Sequence, residues 1–554
     1  MVANTEVCRN LTRHICLQHP LRDMNNVEDS DVVSKYLLRH GSRFNVGQNI
    51  PGLKLRPPNE SQKGALQFAL SNTFSVIQGP PGTGKTRTGA YLAYFFNRIN
   101  QSMPCNPRSD SIPQILYCGP SNKSVDVITE YLKEFMLLKD DFSIVRVYSE
   151  SIERQDFPMP GVNKIERKFG SKDEAKMDPR HRNISLHYRI RTESSKYAHQ
   201  ILTIERNLRD GLVRPMDVKK EITGLVKLIN KAMTEELKKH HVILCTCNAS
   251  GRRILAKNDN ANIVQVIIDE AGMCSEPDTL IPLVNHNPSQ VVLIGDHMQL
   301  RPIIQEPHAR ELGAETSLME KYQKRAITLN IQYRMHEEIC HFPSEAFYEG
   351  ELQTAQAVKN RGFDEQTGRI WPNGPDYPRV FCHIVGVEEM LTVRSEEGNE
   401  MSRSNPLEIY QVVRIAKFLV NRLKVLPQQL AILSQYRLQC SQIEEKLKAA
   451  GLTGIHVSTV IKSQGSEWDY VIFSTVRSMS KIEIEDRPGK GWKIRHLGFT
   501  MDQNQMNVAM TRARRGHIVV GNKYLLGTLD KWKDLLEIYE ETNSLLPAST
   551  FLSY

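Results

Sequence analysis

Eight residues, Gly79-Pro80-Pro81-Gly82-Thr83-Gly84-Lys85-Thr86, follow the apolar run Phe74–Gln78 and open a helical pattern. This order of residue types can hold a triphosphate. The glycines leave backbone N–H groups able to turn onto phosphate oxygens, Lys85 reaches the terminal phosphates, and the Thr86 hydroxyl can bind Mg2+. The strand, loop and helix context that the motif needs is present, so nucleotide binding is predicted.

A second chemical pair, Asp269-Glu270, ends the apolar run 263–268. Hydrolysis of a bound triphosphate needs both acids: Asp269 to hold the Mg2+ shell, and Glu270 to orient or deprotonate the attacking water. The next apolar run ends in GDHMQLRP, where Gln299 can place a neutral amide near the γ-phosphate or its water. Upstream, Gln62 stands near the start of a helix leading to the nucleotide strand, and an amide there can pair with the N6 and N7 edge of adenine. Taken singly, Gln62 reads more readily as a surface glutamine, and a polar turn after a buried strand would explain Gly295 and Asp296 but not the whole GDHMQLRP string.

These groups need rigid elements behind them. Short apolar, β-branched runs (FSVIQG, QILYCGP, HVILCT, IVQVIIDE, QVVLIGD, LAILSQ, DYVIFSTV and HIVVGN) end in Gly, Pro, Asp or Ser. They read as buried parallel strands with functional loops at their C-terminal ends. They fall into two groups, up to about Asp296 and after about Ile327, so the fold class is α/β with two doubly wound sheets. At 554 residues the chain exceeds a single core.

Between strands of the first group lies a basic segment with apolar residues at helical spacing and Gly211 and Pro215 in its middle, which predicts an inserted helical hairpin. From Gly161 to His240 there are 19 Lys and Arg against 11 Asp and Glu, or +8 of the chain's +9. Such a surface favours a polyanionic partner, and a solvated helical face is the alternative. The stretches RPGKGWKIRHLG, near residue 490, and GFDEQTGRIWPNGPDYP, near residue 370, read as loops or hinges.

Ten cysteines are scattered without paired spacing and read as reduced thiols. Cys8, His14, Cys16 and His19 can be drawn as a zinc site or as part of a plain N-terminal helix. No apolar run is long enough to span a bilayer, and the N-terminus lacks a signal-peptide layout, so no membrane partner is expected and the nucleus or cytoplasm is the expected location.

The ordered set of Gln62, GPPGTGKT, GPSNKSVDVIT, DEAG, GDHMQLRP, QYRMH, KSQGSEWD and NVAMTRARRG resembles superfamily 1B helicases of the nonsense-mediated-decay type. The resemblance covers roughly residues 50 to 525. It implies two tandem RecA-like domains, a first at 51–150 and 241–325 interrupted by the hairpin at 151–240, and a second at 326–525. A lead-in at 1–50 and a C-terminal helix and tail at 526–554 flank them. It further implies ATP and Mg2+ as ligands, single-stranded RNA or DNA as partner with regulatory proteins beside it, and a monomeric motor running 5′ to 3′. By the same resemblance Pro120, Ser121, Asn122 and Thr246 touch the nucleic-acid backbone, Tyr333 stacks on adenine, and Arg334 and Arg512 reach the phosphoryl group. Glu467 takes the ribose hydroxyls, Gln464 and Gly465 link nucleotide and strand, and Asn405 and Glu408 form another pair near the nucleotide.

The chain departs from the family at Ile461 and Ser463, where relatives usually carry aspartate and phenylalanine, which puts the usual coupling of the two sites in question. The family's β-barrel is expected before Gln62, yet only about sixty residues stand there, as in a fragment or a version without the barrel. Two other readings therefore stand beside the motor. One is a nucleotide-gated binding scaffold with weak hydrolysis; the other is an oligomeric ATPase whose arginine serves a neighbour.

Overall fold

The computed structural model describes residues 32–552 apart from 49, 104–111, 139–140, 159–176, 257–260, 363–367, 369 and 396–397. The chain divides into two compact units. One holds the described residues up to Gly79 with Lys85–His297 and Arg301–Leu329; the other holds Pro80–Gly84, Met298–Leu300 and the residues from Asn330 onward.

The sheet of the first unit contains β1 Phe74–Gln78, β2 Gln114–Gly119, β3 Ile144–Arg146, β4 Val242–Thr246, β5 Ile263–Ile268, β6 Gln290–Gly295 and β7 Ala326–Thr328. All pairings are parallel, in the order β3-β4-β2-β5-β6-β1-β7. Every residue of β2, β5 and β6 is buried, which is why those runs are apolar without alternation. Successive side chains still serve opposite faces. Ile115 and Tyr117 pack with Leu92 and Phe96 of the helix Lys85–Gln101, while Leu116 and Cys118 share a core with Ile229 and Met233.

Those last two residues belong to the predicted hairpin, formed by Ala198–Arg209 and Val218–Leu237 with Gly211 at φ +69° in the turn. Leu225, Ile229 and Met233 face the sheet, and Lys219, Lys220, Lys227 and Lys231 are exposed on the other side. The helical period thus separates the core stripe from the basic stripe.

In the second unit, β8 Ile331–Gln332 and β9 Gln353–Thr354 form a short parallel pair. β10 Arg379–His383 is followed by an antiparallel hairpin of β11 Glu389–Ser395 and β12 Gly398–Ser404. β13 Leu430–Ser434, β14 His456–Thr459, β15 Trp468–Ser474, β16 Ala513–Gly521 and β17 Leu545–Pro547 complete a parallel six-stranded sheet in the order β14-β13-β15-β16-β10-β17. Val412 and Ile415, from the helix Pro406–Lys417, cover it together with Ile443 and Leu447. Two parallel-sheet α/β units are the architecture expected for tandem RecA-like domains.

Two expectations change. The stretch near residue 490 is a helix over Lys490–Leu497 rather than a loop, with Gly489 before its first residue and Gly498 after its last. β3, β7, β8, β9, β10, β11, β12, β14 and β17 add strands that the apolar runs did not announce, and β7 carries the first unit on to Leu329 by pairing with β1. Cys8, His14, Cys16 and His19 lie outside the described residues, among which the cysteines are free and no cluster of metal-binding side chains occurs. Among the described residues no helix is long and apolar enough to cross a membrane.

Candidate active site

The phosphate loop begins where β1 ends. The Gly79 N–H donates to the Gly295 carbonyl at 2.8 Å, which ties the loop to the end of β6. Gly82 and Gly84 hold φ at +75° and +80°, a region that side chains with a Cβ rarely adopt. Lys85 Nζ donates to the Gly79 carbonyl at 2.7 Å. Thr86 follows in the first turn of the helix Lys85–Gln101, half-buried.

Asp269 and Glu270 stand just beyond β5. Asp269 is buried, and each oxygen accepts one hydrogen bond: Oδ2 from the Tyr117 hydroxyl at 3.1 Å, and Oδ1 from the Glu270 N–H at 2.9 Å. Burial, followed by the Glu270 charge, pushes the Asp269 carboxyl up to about 7, against the pull of Lys85. Burial and the neighbouring Asp269 charge keep the Tyr117 phenol protonated far above its ordinary range. Glu270 sits in the left-handed region, at φ 52° and ψ 36°. For a non-glycine residue that costs roughly 1–2 kcal/mol, and such strain clusters at functional sites. Nearby, Gln78 Nε2 donates to Asp296 Oδ1 at 2.6 Å, and Gln78 Oε1 bonds His297 Nδ1 at 2.8 Å.

A carboxylate with unused lone pairs and a hydroxyl form an all-oxygen donor set, which suits Mg2+. Thr86 and Asp269 fit that ion.

Gln62 is buried at 1% exposure, not a surface glutamine. Its Oε1 accepts from the Asn59 N–H at 3.1 Å, closing a capping box at the start of the helix Glu60–Ser71, and from Arg87 Nη2 at 3.0 Å. An adenine amine would meet an oxygen already oriented by these two donors.

The predicted nucleic-acid residues come together at neighbouring strand ends, because Gly119 of β2 pairs with Thr246 of β4. Pro120, Ser121 and Asn122 follow immediately after Gly119. Their polar atoms are already at work. Ser121 caps the helix Asn122–Met136, the Thr246 hydroxyl accepts from the Ala249 N–H, and Asn122 Oδ1 accepts from Arg146 Nη2 at 2.8 Å. Arg146, fully buried, also donates to the Val147 and Leu244 carbonyls and lies 4.2 Å over the Tyr148 ring. The basic letter inside SIVRVY was its only signal.

In the second unit, the Tyr333 N–H donates to the Gly82 carbonyl at 2.9 Å. Arg334 Nε donates to Glu467 Oε2 at 2.5 Å and its Nη1 to the Thr511 carbonyl at 3.0 Å. Burial alone would raise the Glu467 carboxyl, but the Arg334 charge and hydrogen bond together with the Arg514 and Arg512 charges outweigh it and hold the group below its ordinary value. Arg512 is 1% exposed. It donates to Gln299 Oε1 at 3.1 Å, the Val508 carbonyl at 3.0 Å and the Ser466 carbonyl at 3.2 Å. The structure thus joins four predicted residues as two pairs, Arg334 with Glu467 and Arg512 with Gln299.

Asn405 and Glu408 have a structural task here. Asn405 caps the helix Pro406–Lys417, and the Glu408 carboxylate accepts from Ser474 Oγ at 2.6 Å and the Val476 N–H at 2.9 Å. Burial pushes that carboxyl up to about 8. The pair braces the turn after β15, where Val476 holds φ at +70°. Ser463 is buried with its hydroxyl on the Val460 carbonyl at 2.7 Å, Ile461 is exposed, and Gly465 follows at φ +79°.

Two family models, each described as an AAA domain, match residues 57–307 and 314–524. The chain is 41% identical over 499 residues to the mouse protein named 3'-5' exoribonuclease HELZ2, covering 88% of this chain and 16% of that protein. It is 31% identical to the Arabidopsis thaliana regulator of nonsense transcripts 1 homolog, covering 90% of this chain and 35% of that protein. It is 30% identical to the Saccharomyces cerevisiae ATP-dependent helicase NAM7, covering 88% of this chain and 44% of that protein. The chain therefore spans less than half the length of each of these relatives.

Proposed function

The chain belongs to the superfamily 1 helicases, and on that premise we propose that it hydrolyses ATP to move along single-stranded nucleic acid, RNA first, in the 5′ to 3′ direction. The observation that carries this reading is the grouping at strand ends in the first unit: Lys85 and Thr86 at the start of the helix after the phosphate loop, with the buried Asp269 and the strained Glu270 beyond β5. A binding module needs the first half of that set. Of the second half, Asp269 serves Mg2+ in binding as well, and Glu270 has a use only in hydrolysis.

In this reading Lys85 leaves the Gly79 carbonyl for the terminal phosphates, and the loop N–H groups hold their oxygens. Thr86 and Asp269 would hold Mg2+, largely through water, and the ion would offset negative charge on the transferring group. Glu270 orients the attacking water or takes its proton, and Gln299 reports the state of the γ-phosphate through its bond to Arg512. Arg334 and Arg512 stabilise charge in the transition state. Tyr333 stacks on the adenine, Gln62 reads its edge, and Glu467 takes the ribose. Pro120, Ser121, Asn122 and Thr246 grip the sugar-phosphate backbone, with affinity independent of sequence.

The test is ATP hydrolysis with and without single-stranded oligonucleotide, comparing RNA and DNA of one sequence and using Lys85→Ala as the blank. Stimulation above the blank, greater with RNA, is expected; no stimulation sinks the motor. The nucleotide-gated scaffold is kept open by Ser463, whose hydroxyl is turned to its own backbone, and ATP-gated retention of RNA without unwinding would favour it.

The exposed stripe Lys219, Lys220, Lys227 and Lys231 is proposed to add affinity for the strand. Reversing all four charges should weaken oligonucleotide binding and reduce the slope of log affinity against log salt by up to about 3, at roughly 0.7 per lost contact to a single strand. Equal slopes for variant and wild type return the stripe to the role of a solvated face.

A further inference from the structure

Tyr117 is the one hydroxyl in the otherwise apolar strand run Ile115–Cys118, and it is fully buried. A valine or isoleucine would fill that core position without the desolvation cost that a buried hydroxyl carries unless it finds a partner. Its partner is Asp269 Oδ2 at 3.1 Å. Asp269 is otherwise fixed through its backbone N–H, which donates to the Cys118 carbonyl at 2.9 Å, and through Oδ1, which accepts from the Glu270 N–H. Among the described residues the phenol is thus the only side-chain donor to this carboxylate, and with the Glu270 N–H on the other oxygen it fixes the rotation of the carboxylate plane.

The helix that follows the phosphate loop makes room for this contact. Gly89 lies one turn after Lys85, and a Cβ placed there would stand 2.1 Å from the Tyr117 hydroxyl oxygen and 3.1 Å from its ring carbon Cζ. No real side chain tolerates the first distance, so any residue but glycine at 89 displaces the phenol from its seat.

We propose that Tyr117 is a positioning residue that orients the Asp269 carboxylate toward the magnesium ion of a bound nucleotide, and that Gly89 is its obligatory seat. The proposal rests on the assignment of Asp269 made above. A carboxylate free to rotate presents its lone pairs to the metal shell only part of the time. Groups that orient a metal-holding side chain in this way are typically worth about 10–100-fold in metal affinity.

The experiment measures binding rather than turnover: the affinity of a non-hydrolysable ATP analogue with and without Mg2+, by calorimetry, for wild type, Tyr117→Phe, Gly89→Ala and the double variant. Tyr117→Phe keeps the ring and removes one oxygen, so metal-free affinity should stay within about twofold, while the gain conferred by Mg2+ falls about tenfold. Gly89→Ala should lose a similar part of the gain by displacing the phenol. In the Tyr117→Phe background, Gly89→Ala should cost less than it does alone, because the collision with the hydroxyl oxygen is gone and only the approaches of 3.1 Å to the ring carbon Cζ and 3.3 Å to Ile294 Cδ1 remain. A Mg2+ gain left intact in Tyr117→Phe, with or without a lower melting temperature, overturns the positioning role. Additive losses in the double variant overturn the seat. If wild type and Lys85→Ala both lack any Mg2+ gain, the assignment of Asp269 fails, and this proposal fails with it.

Discussion

Arg334→Ala is expected to bind ATP within about threefold of wild type and to hydrolyse it about a thousandfold more slowly, the lower end of what an arginine acting on a transferring phosphoryl group supplies. The expected loss is chemical rather than structural. Arg334 is 11% exposed and its partner Glu467 41% exposed, and a pair with its carboxylate open to water contributes about 1 kcal/mol. The melting temperature should therefore barely move. Arg334→Lys should not restore turnover, because an ammonium cannot serve Glu467 and the Thr511 carbonyl from the two ends of one planar fork. Single-turnover hydrolysis, read beside nucleotide affinity, decides the matter. Near wild-type turnover in Arg334→Ala would end the claim that one chain supplies its own arginines.

Glu270 should divide stability from activity. Glu270→Gln keeps the side-chain shape and the left-handed backbone, so its melting temperature should match wild type while hydrolysis falls by about 10²–10⁴. Glu270→Gly should be equally inactive yet more stable, by up to about 1 kcal/mol, because glycine adopts φ 52° without strain. A less stable Glu270→Gly protein would mean that the turn is held by the side chain rather than against it. Thermal melts of the three proteins, with multiple-turnover hydrolysis measured in parallel, separate the cases.

The strands that carry chemistry were legible because burial on both faces makes them continuously apolar: β1, β2, β4, β5, β6, β13, β15 and β16 all coincide with such runs. Most of the missed strands lack that signal; β10 has it in Val380, Phe381 and Cys382, all buried, but over only three residues. β7 and β14 are short and only partly buried, β3 has three residues with an arginine at its end, and β17 includes a proline at the sheet edge. The phosphate loop and the acids were legible because their order along the chain equals their placement at strand ends. Tyr117 and Arg146 were not. Each is a polar letter within an apolar run, and its meaning lies with a partner far away in sequence, Asp269 for one and Asn122 for the other. A buried hydroxyl in such a run, with a glycine in the helix above it, is the pattern that would have pointed to the first. Asn405 and Glu408 show the converse: two polar residues with suitable chemistry that the fold uses to brace a turn.

The strand order of the first unit also bears on how the chain is made. Val76 of β1 pairs with Leu293 of β6 on one side and Ala326 of β7 on the other. The strand that carries the phosphate loop therefore leaves the ribosome more than 200 residues before either neighbour, a delay of about 10–40 s at ordinary synthesis rates. During that interval an apolar strand has both hydrogen-bonding edges open, with β2 through β5 already emerging beside it. This half of the protein is where chaperone dependence and sensitivity to translation speed should concentrate, and slowing synthesis between residues 80 and 290 should lower the soluble yield more than slowing it after residue 330.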